Sequence, residues 1–381
     1  MATEIHFLYS DWRNVSIGAI VVCYVDYEFP TTRATSMRLL FITQAIDERD
    51  SVLGFVCGWL SAFAVEFTHI SVVCLRKGGY DLPKNVEVYS LGKERGAHRF
   101  QYVFRFLRYI WRKHSEYDAV FVHMNPEYVL LGWLMWKIQG KRVALWYNHQ
   151  AGGIRIRLAA LFSDVLFHTS PFAYTARYRK AVRMSAGIDT VLFHKTNTQR
   201  QKNSIVFVGR IAPIKRLEIL LNAALQLHNE GSDFFLSVYG ESALSDRAYE
   251  KKMRKIGAQL ESVGRIRFCG SVRHSELPYV FSANELAVNL SPAGLFDKTV
   301  LEAAACECIP LVSSPAFKNF LPDSLFCKES DSLDLLRKIK MLLSLSTEEK
   351  KALGEALREK VVQEHGLSVL AHSLPLLLSN D

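Results

Sequence analysis

The sequence predicts an α/β protein in which two doubly wound halves face each other across a cleft. The chain has 381 residues, which exceeds one ordinary domain and suits two of about 150–200 residues each. Short apolar runs alternate with helical stretches almost throughout, and this alternation is typical of parallel βαβ units whose helices cover a buried sheet. The polar stretch HKTNTQRQKNS at 194–204 interrupts the alternation and predicts a linker.

In the first half, strands are predicted from short apolar runs at 38–44, 69–75, 86–91, 119–124 and 142–147. Helices are predicted at 51–66, 98–114 and 126–139. Residues 1–36 fit the alternation poorly, so we expect either a loosely attached extension, with Met37 as an alternative start, or an extra edge strand at 17–25. The first domain is therefore predicted at 37–195.

The second half repeats the pattern, and a second domain is predicted at 204–365. Its strands are predicted at 204–209, 234–240, 265–270, 285–290 and 309–312, and its helices at 216–230, 246–261 and 275–283. Residues 331–380 have a helical pattern, with one helix beginning at Thr347, and we expect 366–381 to return to the first domain. Parallel strands end together at one edge, so the cleft is predicted between the carboxyl ends of both sheets.

Composition limits the classes of protein and partner. A hydrophobic share of 49% with 22% charged residues excludes a disordered chain. The net charge of +9 favours an anionic partner, such as nucleotide phosphates, a membrane surface or nucleic acid, with simple solubility as the alternative. No RNA- or DNA-binding motif occurs, so we expect no nucleic acid partner.

Cysteine usage and the apolar segments predict a cytoplasmic protein. The seven cysteines are odd in number and include no Cys-x-x-Cys pair, which favours buried thiols in a reducing compartment over disulfides or zinc ligands. The opening MATEIHFLYSDWRN lacks the basic-then-apolar order of a signal peptide. The longest apolar run, at 51–65, is shorter than the roughly 20 residues that a membrane-spanning helix needs.

Two stretches of the second half predict an anion site. In IVFVGRIAPIK (205–215) a strand ends at Gly209, Arg210 follows in the loop, and Lys215 opens the next helix. Two such cations suit the binding of a diphosphate. The alternative interpretation is that they are simply basic residues on a solvated turn. In SPAGLFDKTVLEAAACECIPLVSS (291–314) a loop leads into a helix whose free N–H groups and positive dipole end suit the same anion.

These segments together resemble the retaining glycosyltransferases of family 4, which have the two-domain GT-B fold. VGRIAPIK (208–215) matches the family's Gly-Arg…Lys segment, and DKTVLEAAACECIPLVSS (297–314) matches its LEAMACGxPVV segment. SAGIDTVLF (185–193) is similar to NGVDxxxF, and the run at 267–292 to FxGxVxxxELxxxYxxADxxVxPS. The resemblance spans about residues 37–370.

The resemblance implies specific roles for the matching residues. Arg210 and Lys215, after Gly209, would neutralise the diphosphate of a nucleotide sugar and stabilise it as it departs. Glu302 matches the second Glu of the family's Glu-x7-Glu pattern and would accept hydrogen bonds from the ribose hydroxyls. The family needs no metal, because basic residues and a helix end take its place. We therefore expect no cofactor.

The chain departs from the family pattern at the first Glu. Gly294 stands eight residues before Glu302, where the acid is usual. Asp297 either replaces that acid at the donor sugar, caps the helix that starts at Lys298, or does both. We expect Gly294, Lys298 and Thr299 to line the donor site.

A second departure is Lys215-Arg216 in place of the family's Lys-Gly. The additional Arg216 either strengthens the anion site or points to solvent.

Two histidines end strands of the first half. His149 in LWYNHQAGG corresponds to a family histidine that contacts the sugar or acceptor, and its polar loop suits a ligand. His123 in FVHMNPEY is the second candidate, and for either one a structural role is the alternative. Gly54 is a candidate for a glycine that lets the backbone come close to the phosphates. The chain lacks G-x-G-x-x-G and Walker motifs, which argues against nicotinamide chemistry and P-loop hydrolysis.

The predicted helix at 98–114 interleaves basic and aromatic residues. One stripe is the expected core face: Phe100, Phe104, Leu107 and Trp111. The other combines cations with flanking rings: Arg105, Arg108, Arg112, Tyr102, Phe106 and Tyr109. This second stripe suits anionic lipid headgroups, with a solvated basic face as the alternative.

The sequence therefore predicts a retaining glycosyltransferase that moves a hexose from a nucleotide-diphosphate sugar to a lipid-linked or saccharide acceptor. We expect a role in cell-surface polysaccharide or glycolipid biosynthesis, on the inner face of the membrane. Asp297 and His149 are the predicted catalytic residues, and both would position the sugar. The alternatives are a nucleotide-sugar epimerase or phosphorylase on the same fold, and a non-catalytic sugar-nucleotide-binding subunit.

Overall fold

The computed structural model describes residues 35–50 and 52–379. The predictions for 1–36, an extension with Met37 as an alternative start or an edge strand at 17–25, lie outside this range, except that Thr35 and Ser36 open the first strand. Within the range, no helix has the length and apolar character needed to cross a membrane. The described cysteines are free thiols, and all but Cys269 are buried.

The first half contains a sheet of seven parallel strands in the order β3-β2-β1-β4-β5-β6-β7. Its strands are β1 (Thr35–Ile46), β2 (Phe67–Lys77), β3 (Val86–Ser90), β4 (Ala119–His123), β5 (Arg142–Trp146), β6 (Val165–His168) and β7 (Ala181–Arg183). Its helices are α1 (Phe55–Glu66), α2 (Arg99–Arg112), α3 (Pro126–Ile138) and α4 (Ile154–Phe162). The elements α4, β6 and β7 were not predicted, because each is short and its sequence shows little periodicity.

The second half contains a sheet of five parallel strands in the order β10-β9-β8-β11-β12. Its strands are β8 (Ser204–Val208), β9 (Phe235–Tyr239), β10 (Ile266–Gly270), β11 (Leu286–Asn289) and β12 (Ile309–Val312). Its helices are α5 (Leu217–Asn229), α6 (Arg247–Ser262), α7 (Leu277–Ser282), α8 (Lys298–Ala305), α9 (Ser332–Leu343) and α10 (Thr347–Lys360). One turn of π-helix at Val361–His365 leads into α11 (Leu367–Leu378). The predicted fold of two doubly wound α/β halves is confirmed.

The core of the first half has two layers because its sheet is covered on both faces. Along β1, Leu39 and Phe41 pack on one side with α1, whereas Leu40 and Ile42 pack on the other side with α2, α3 and α4. Burial on both faces explains why β1 is a nearly continuous apolar run. Both sheets reverse their strand order at the centre, between β1 and β4 and between β8 and β11, and such switch points are where doubly wound sheets bind ligands.

The chain passes between the halves twice, and the two crossings are joined by hydrogen bonds. In the first crossing, Ile188 donates its N–H to the carbonyl of His365 at 2.8 Å, and its own carbonyl accepts from Leu367 at 2.7 Å. After the second crossing, α11 packs on α1 and buries Leu370 and Leu374 in the core of the first half. Trp59 of α1 also donates its indole N–H to the carbonyl of Gly187 at 3.0 Å.

The predicted core face of α2 is wrong. Phe100, Phe104 and Trp111 are 90%, 64% and 64% exposed. The buried residues are Phe106, Tyr109 and Ile110.

Contacts with neighbouring elements explain which face of α2 is buried. The Phe106 ring packs on Tyr128 and Trp136 of α3, and Tyr109 packs on Tyr89 of β3. The Arg105 guanidinium is turned inward and donates to the carbonyl of Leu91 at 2.7 Å, so it does not join Arg108 and Arg112 on the exposed face.

Candidate functional site

The loop after β8 carries the predicted clamp and lies close to the end of β9. The Gly209 N–H donates to the carbonyl of Tyr239 at 3.0 Å, and the Ile211 N–H to that of Glu241 at 3.0 Å. Gly240 has φ +136°, and a Cβ there would lie 1.9 Å from the Gly209 carbonyl oxygen. Only glycine therefore lets the β9 turn approach this loop.

The two predicted clamp cations have different surroundings. The Arg210 side chain is exposed, and no carboxylate of the described residues forms an ion pair with it. Lys215 lies in a short turn that precedes α5, and its ammonium pairs with the carboxylate of Asp297 and lies 3.2 Å from Ser291 Oγ. Arg216, the additional cation, pairs with Glu329 at 2.6 Å instead of pointing freely to solvent.

Asp297 occupies the N-cap position of α8, but its side chain makes no capping hydrogen bond. Besides Lys215, its carboxylate accepts from Asn289 Nδ2 at 2.9 Å and from Ser291 Oγ at 3.2 Å. Burial by itself would raise the pKa of Asp297, but the Lys215 charge and the hydrogen bonds outweigh burial and hold the pKa below its ordinary value. The carboxylate is thus ionised and fixed between the ends of β8 and β11.

Gly294 lies where the loop before α8 meets the first half of the chain. It has φ +93°, and a Cβ there would lie 1.3 Å from the side-chain nitrogen of Gln150. Gln150 donates to the carbonyl of Ala293 at 2.6 Å, and Ser170 Oγ donates to the carbonyl of Gly294 at 3.0 Å. A glutamate at this position, which the family that the sequence resembles usually has, would require the Gln150 side chain to move.

Lys298, the first residue of α8, reaches toward α1 of the first half. Its ammonium nitrogen is buried and has no hydrogen-bond partner among the described residues. It lies 3.6 Å from the ring centroid of Phe55 and 4.3 Å from that of Trp59. Burial lowers the pKa of Lys298 to about 7, although the Glu302 carboxylate acts in the opposite direction.

The two candidate histidines lie in different environments. His123, at the end of β4, is buried, with its Nδ1 3.3 Å from Thr43 Oγ1 and its ring against Phe55 and Trp59. Burial, and then the charge of Lys298, lowers the His123 pKa to about 3, so the ring is neutral. His149 is exposed in the loop after β5, one residue before Gln150, and its ring contacts Tyr147.

The remaining predicted residues are Thr299, Glu302 and Gly54. Thr299 Oγ1 accepts a hydrogen bond from Asn289 Nδ2 at 3.2 Å. The buried Glu302 lies 3.2 Å from His274 Nε2. Gly54 precedes α1, and a Cβ there would lie 2.7 Å from the carbonyl oxygen of Asp50. The close approach that this glycine permits is therefore to its own turn.

The structure places Lys215, Asp297, Lys298 and Thr299 around the ends of β8 and β11, with Arg210 exposed in the loop after β8, and it adds residues that sequence reasoning missed. These are Phe55, Trp59, Gln150, Ser170, His274, Asn289 and Ser291. In NLSP, Asn289 lies near the end of a predicted strand and Ser291 directly follows it, and that position could have revealed them. The others come from distant parts of the chain.

One group of the described residues has the donor atoms for a metal ion, with His69, Glu87 and Glu116 presenting them within 4.8 Å of one another. His69 and Glu87 lie near the starts of β2 and β3, at the edge of the first sheet opposite the candidate site. Glu116 is already paired with Lys113 at 2.6 Å. This group is separate from the chemistry discussed below.

Residues 189–360 match the family model described as Glycosyl transferases group 1. This segment is therefore similar to the group 1 glycosyl transferases. The match takes in Arg210, Lys215, Asp297, Lys298 and Glu302. The comparison with curated proteins gave no match.

Solved structures show the same fold at low sequence identity. Anabaena Alr3699/HepE in complex with UDP and glucose has 15% identity and a TM-score of 0.72, and the similarity covers 91% of this chain and 100% of that one. Sucrose-phosphate synthase from Thermosynechococcus elongatus has 18% identity and a TM-score of 0.69, covering 90% and 98%. The apo lipopolysaccharide outer core galactosyltransferase WaaB has 14% identity and a TM-score of 0.62, covering 90% and 99%. The fold is GT-B.

The buried Lys298 ammonium should make the stability of the folded chain depend on pH. An unfolded lysine titrates near pH 10.4, so between about pH 7 and that value the unfolded chain binds one more proton than the folded chain, and stability rises with pH. We expect Lys298→Met to unfold at a higher temperature than the native chain at pH 7. The difference in the free energy of unfolding between the two chains should shrink by on the order of 2 kcal/mol between pH 7 and pH 9.

Thermal unfolding at both pH values checks this expectation. Lys251→Met, at an exposed position of α6, is the matched control and should show no such difference. A Lys298→Met chain less stable than the native one at both pH values would contradict it.

Proposed function

We propose that this protein is a retaining glycosyltransferase of family 4, which transfers a hexose from a nucleoside-diphosphate sugar to a lipid-linked or saccharide acceptor. The observation that carries the proposal is the fixed Lys215–Asp297 pair beside Arg210 and the start of α8, at the switch point of the second sheet. The group 1 domain supports it, as do the complexes of Alr3699/HepE with UDP and with UDP-glucose. We further propose a role in cell-surface polysaccharide or glycolipid biosynthesis.

In this proposal the site stabilises a departing diphosphate without a metal. Negative charge grows on the leaving phosphate as the bond to the sugar breaks, and fixed cations and helix N–H groups stabilise that charge. Arg210 and the first N–H groups of α8 would bind the phosphates, Glu302 the ribose hydroxyls, and Asp297 with His149 the sugar. The first four N–H groups of an α-helix have no partner inside the helix, so the first turn of α8 has donors to offer even though that of Val300 binds the carbonyl of Asp297.

The transfer step would need no nucleophile from the protein. The bond from the anomeric carbon to the phosphate oxygen breaks, and a new bond forms from that carbon to the acceptor oxygen on the same face. The acceptor proton passes to the departing phosphate. The protein contributes alignment of the two substrates and a preorganised charge environment.

Nucleotide binding gives the first test. UDP or UDP-glucose at one hundred times its Kd should stabilise the native chain by about 2.7 kcal/mol. Arg210→Ala removes a phosphate ligand, and Lys215→Ala leaves Asp297 as an unpaired buried carboxylate, so both should lose most of this thermal shift. Lys251→Ala, an exposed control, should keep it. No shift of the native chain with uridine, guanosine or adenosine diphosphates would count against the proposal.

A transfer assay separates the proposed enzyme from its alternatives. Incubation with membranes and a labelled nucleotide sugar should yield a labelled lipid or saccharide with retained anomeric configuration, and Asp297→Asn should lower the rate at least tenfold. Conversion of the donor sugar without any acceptor would indicate an epimerase. Product formation only with added phosphate would indicate a phosphorylase. Nucleotide binding without turnover would indicate a non-catalytic subunit.

We also propose that the protein works at the inner face of an anionic membrane, through a surface formed by α2, α3 and α4. All three helices bury one side against the same core layer and expose large apolar side chains on the other: Phe100, Phe104, Trp111, Leu131, Leu134, Ile138, Ile154, Leu158 and Leu161. Exposed cations lie among them: Arg108, Arg112, Lys137, Arg155 and Arg157. Apolar and cationic groups together suit acyl chains and anionic headgroups.

Liposome sedimentation tests this surface. Arg108→Glu/Arg112→Glu should reduce binding to phosphatidylglycerol vesicles by more than about tenfold, because each basic residue near an anionic surface contributes about 1 kcal/mol. Lys251→Glu/Lys255→Glu makes the same charge change on exposed positions of α6 and should reduce binding far less. Equal losses in the two double variants would point to net charge alone.

A further inference from the structure

A buried ammonium without a hydrogen bond is the least explained group at the candidate site. An ammonium has three donors, and buried donors in native proteins nearly always have partners. Lys298 Nζ is buried and has none among the described residues, and the rings of Phe55 and Trp59 lie against it. Ring faces attract a cation, but they leave its N–H donors available for a stronger acceptor.

The place of Lys298 in the fold puts it next to the other groups that suit an anion at the start of α8. It is the first residue of that helix, beside N–H groups that have no partner inside the helix. Its neighbour Asp297 already pairs with Lys215. Of the two lysines at this point, Lys215 is therefore committed to a carboxylate within the chain, whereas Lys298 is not.

The charged groups that face Lys298 do not neutralise it. From its own helix, the Glu302 carboxylate acts on it electrostatically but lies 3.2 Å from His274 Nε2, with which it interacts. From β4, His123 faces it as a neutral ring. From α1, Phe55 and Trp59 carry no charge. Gly294 leaves no acid at the position where the related family has one.

We propose that the Lys298 ammonium binds an oxyanion of the donor, and that Phe55 and Trp59 hold the ammonium when no donor is bound. This inference rests on the proposed function and goes beyond it, because it assigns an anion ligand other than the Arg210–Lys215 clamp. The oxyanion is either the sugar-linked phosphate, common to all such donors, or a carboxylate on the donor sugar, as in a hexuronic acid. Lys215 is then a positioning residue that fixes Asp297.

Isothermal titration of the full chain with UDP-glucose and UDP-glucuronate tests the inference. If Lys298 binds the phosphate, Lys298→Met should weaken both ligands at least tenfold. If it binds a sugar carboxylate, only UDP-glucuronate should weaken at least tenfold. Native Kd values for both ligands in Lys298→Met would overturn the inference.

A pH series adds a readout that a purely structural role would not change. UDP-glucose has no phosphate that titrates between pH 6.5 and 8.5. If Lys298 binds its phosphate, native affinity should fall about fivefold or more across this range as the free ammonium loses its proton, and Lys298→Met should show no such fall. If it binds a carboxylate, the same fall should appear with UDP-glucuronate alone. A native affinity for both ligands that stays constant with pH would overturn the inference.

The Arg210→Ala variant separates this inference from the proposed function. If Arg210→Ala loses nucleotide binding and Lys298→Met keeps it, the proposed function stands and the inference fails. If the native chain binds neither UDP-sugar, nor GDP-mannose nor ADP-glucose, the proposed function fails and the inference with it. A melting temperature of Lys298→Met at or above the native value excludes misfolding as the cause of lost binding.

Discussion

The ion pair between Lys215 and Asp297 is the interaction on which the candidate site depends. It joins the turn before α5 to the first turn of α8, so the ends of β8 and β11 are held in one arrangement. Such a pair is stable because Asn289 and Ser291 supply further hydrogen bonds to the same carboxylate. With Asp297 occupied in this way, the exposed Arg210 has no ion-pair partner among the described residues.

The fold was predictable from the sequence where burial leaves a strong pattern. The middles of strands such as β1 and β8 are buried on both faces and therefore appear as apolar runs, at 39–42 and 205–207. The exposed side of α2 was not predictable, because Phe100, Phe104 and Trp111 have the same helical spacing that a core stripe would have. Periodicity shows that a helix has two faces, but only the packing of Phe106 against α3 decides which of them is buried.

The sequence offered candidates for the site mainly on the side that the second half builds. Arg210, Lys215 and Asp297 lie in the loops after strands, and the strand-end rule together with the family resemblance indicated them as candidates. Gln150, Phe55 and Trp59 contact the same loop and helix from the other half. Nothing in their local sequence indicates that contact, and Phe55 and Trp59 resemble ordinary members of a buried helix. The collision of any side chain at position 294 with Gln150 likewise emerges only in three dimensions.

The chain crosses between the two halves at Ile188 and again at His365–Leu367, and backbone hydrogen bonds join these two segments side by side. A single connecting segment would allow one half to rotate freely relative to the other. Two segments joined by hydrogen bonds restrict that rotation to bending about one axis. Trp59 touches both the first of these segments, through the carbonyl of Gly187, and the ammonium of Lys298. Trp59 therefore links the crossing between the two halves to the first residue of α8.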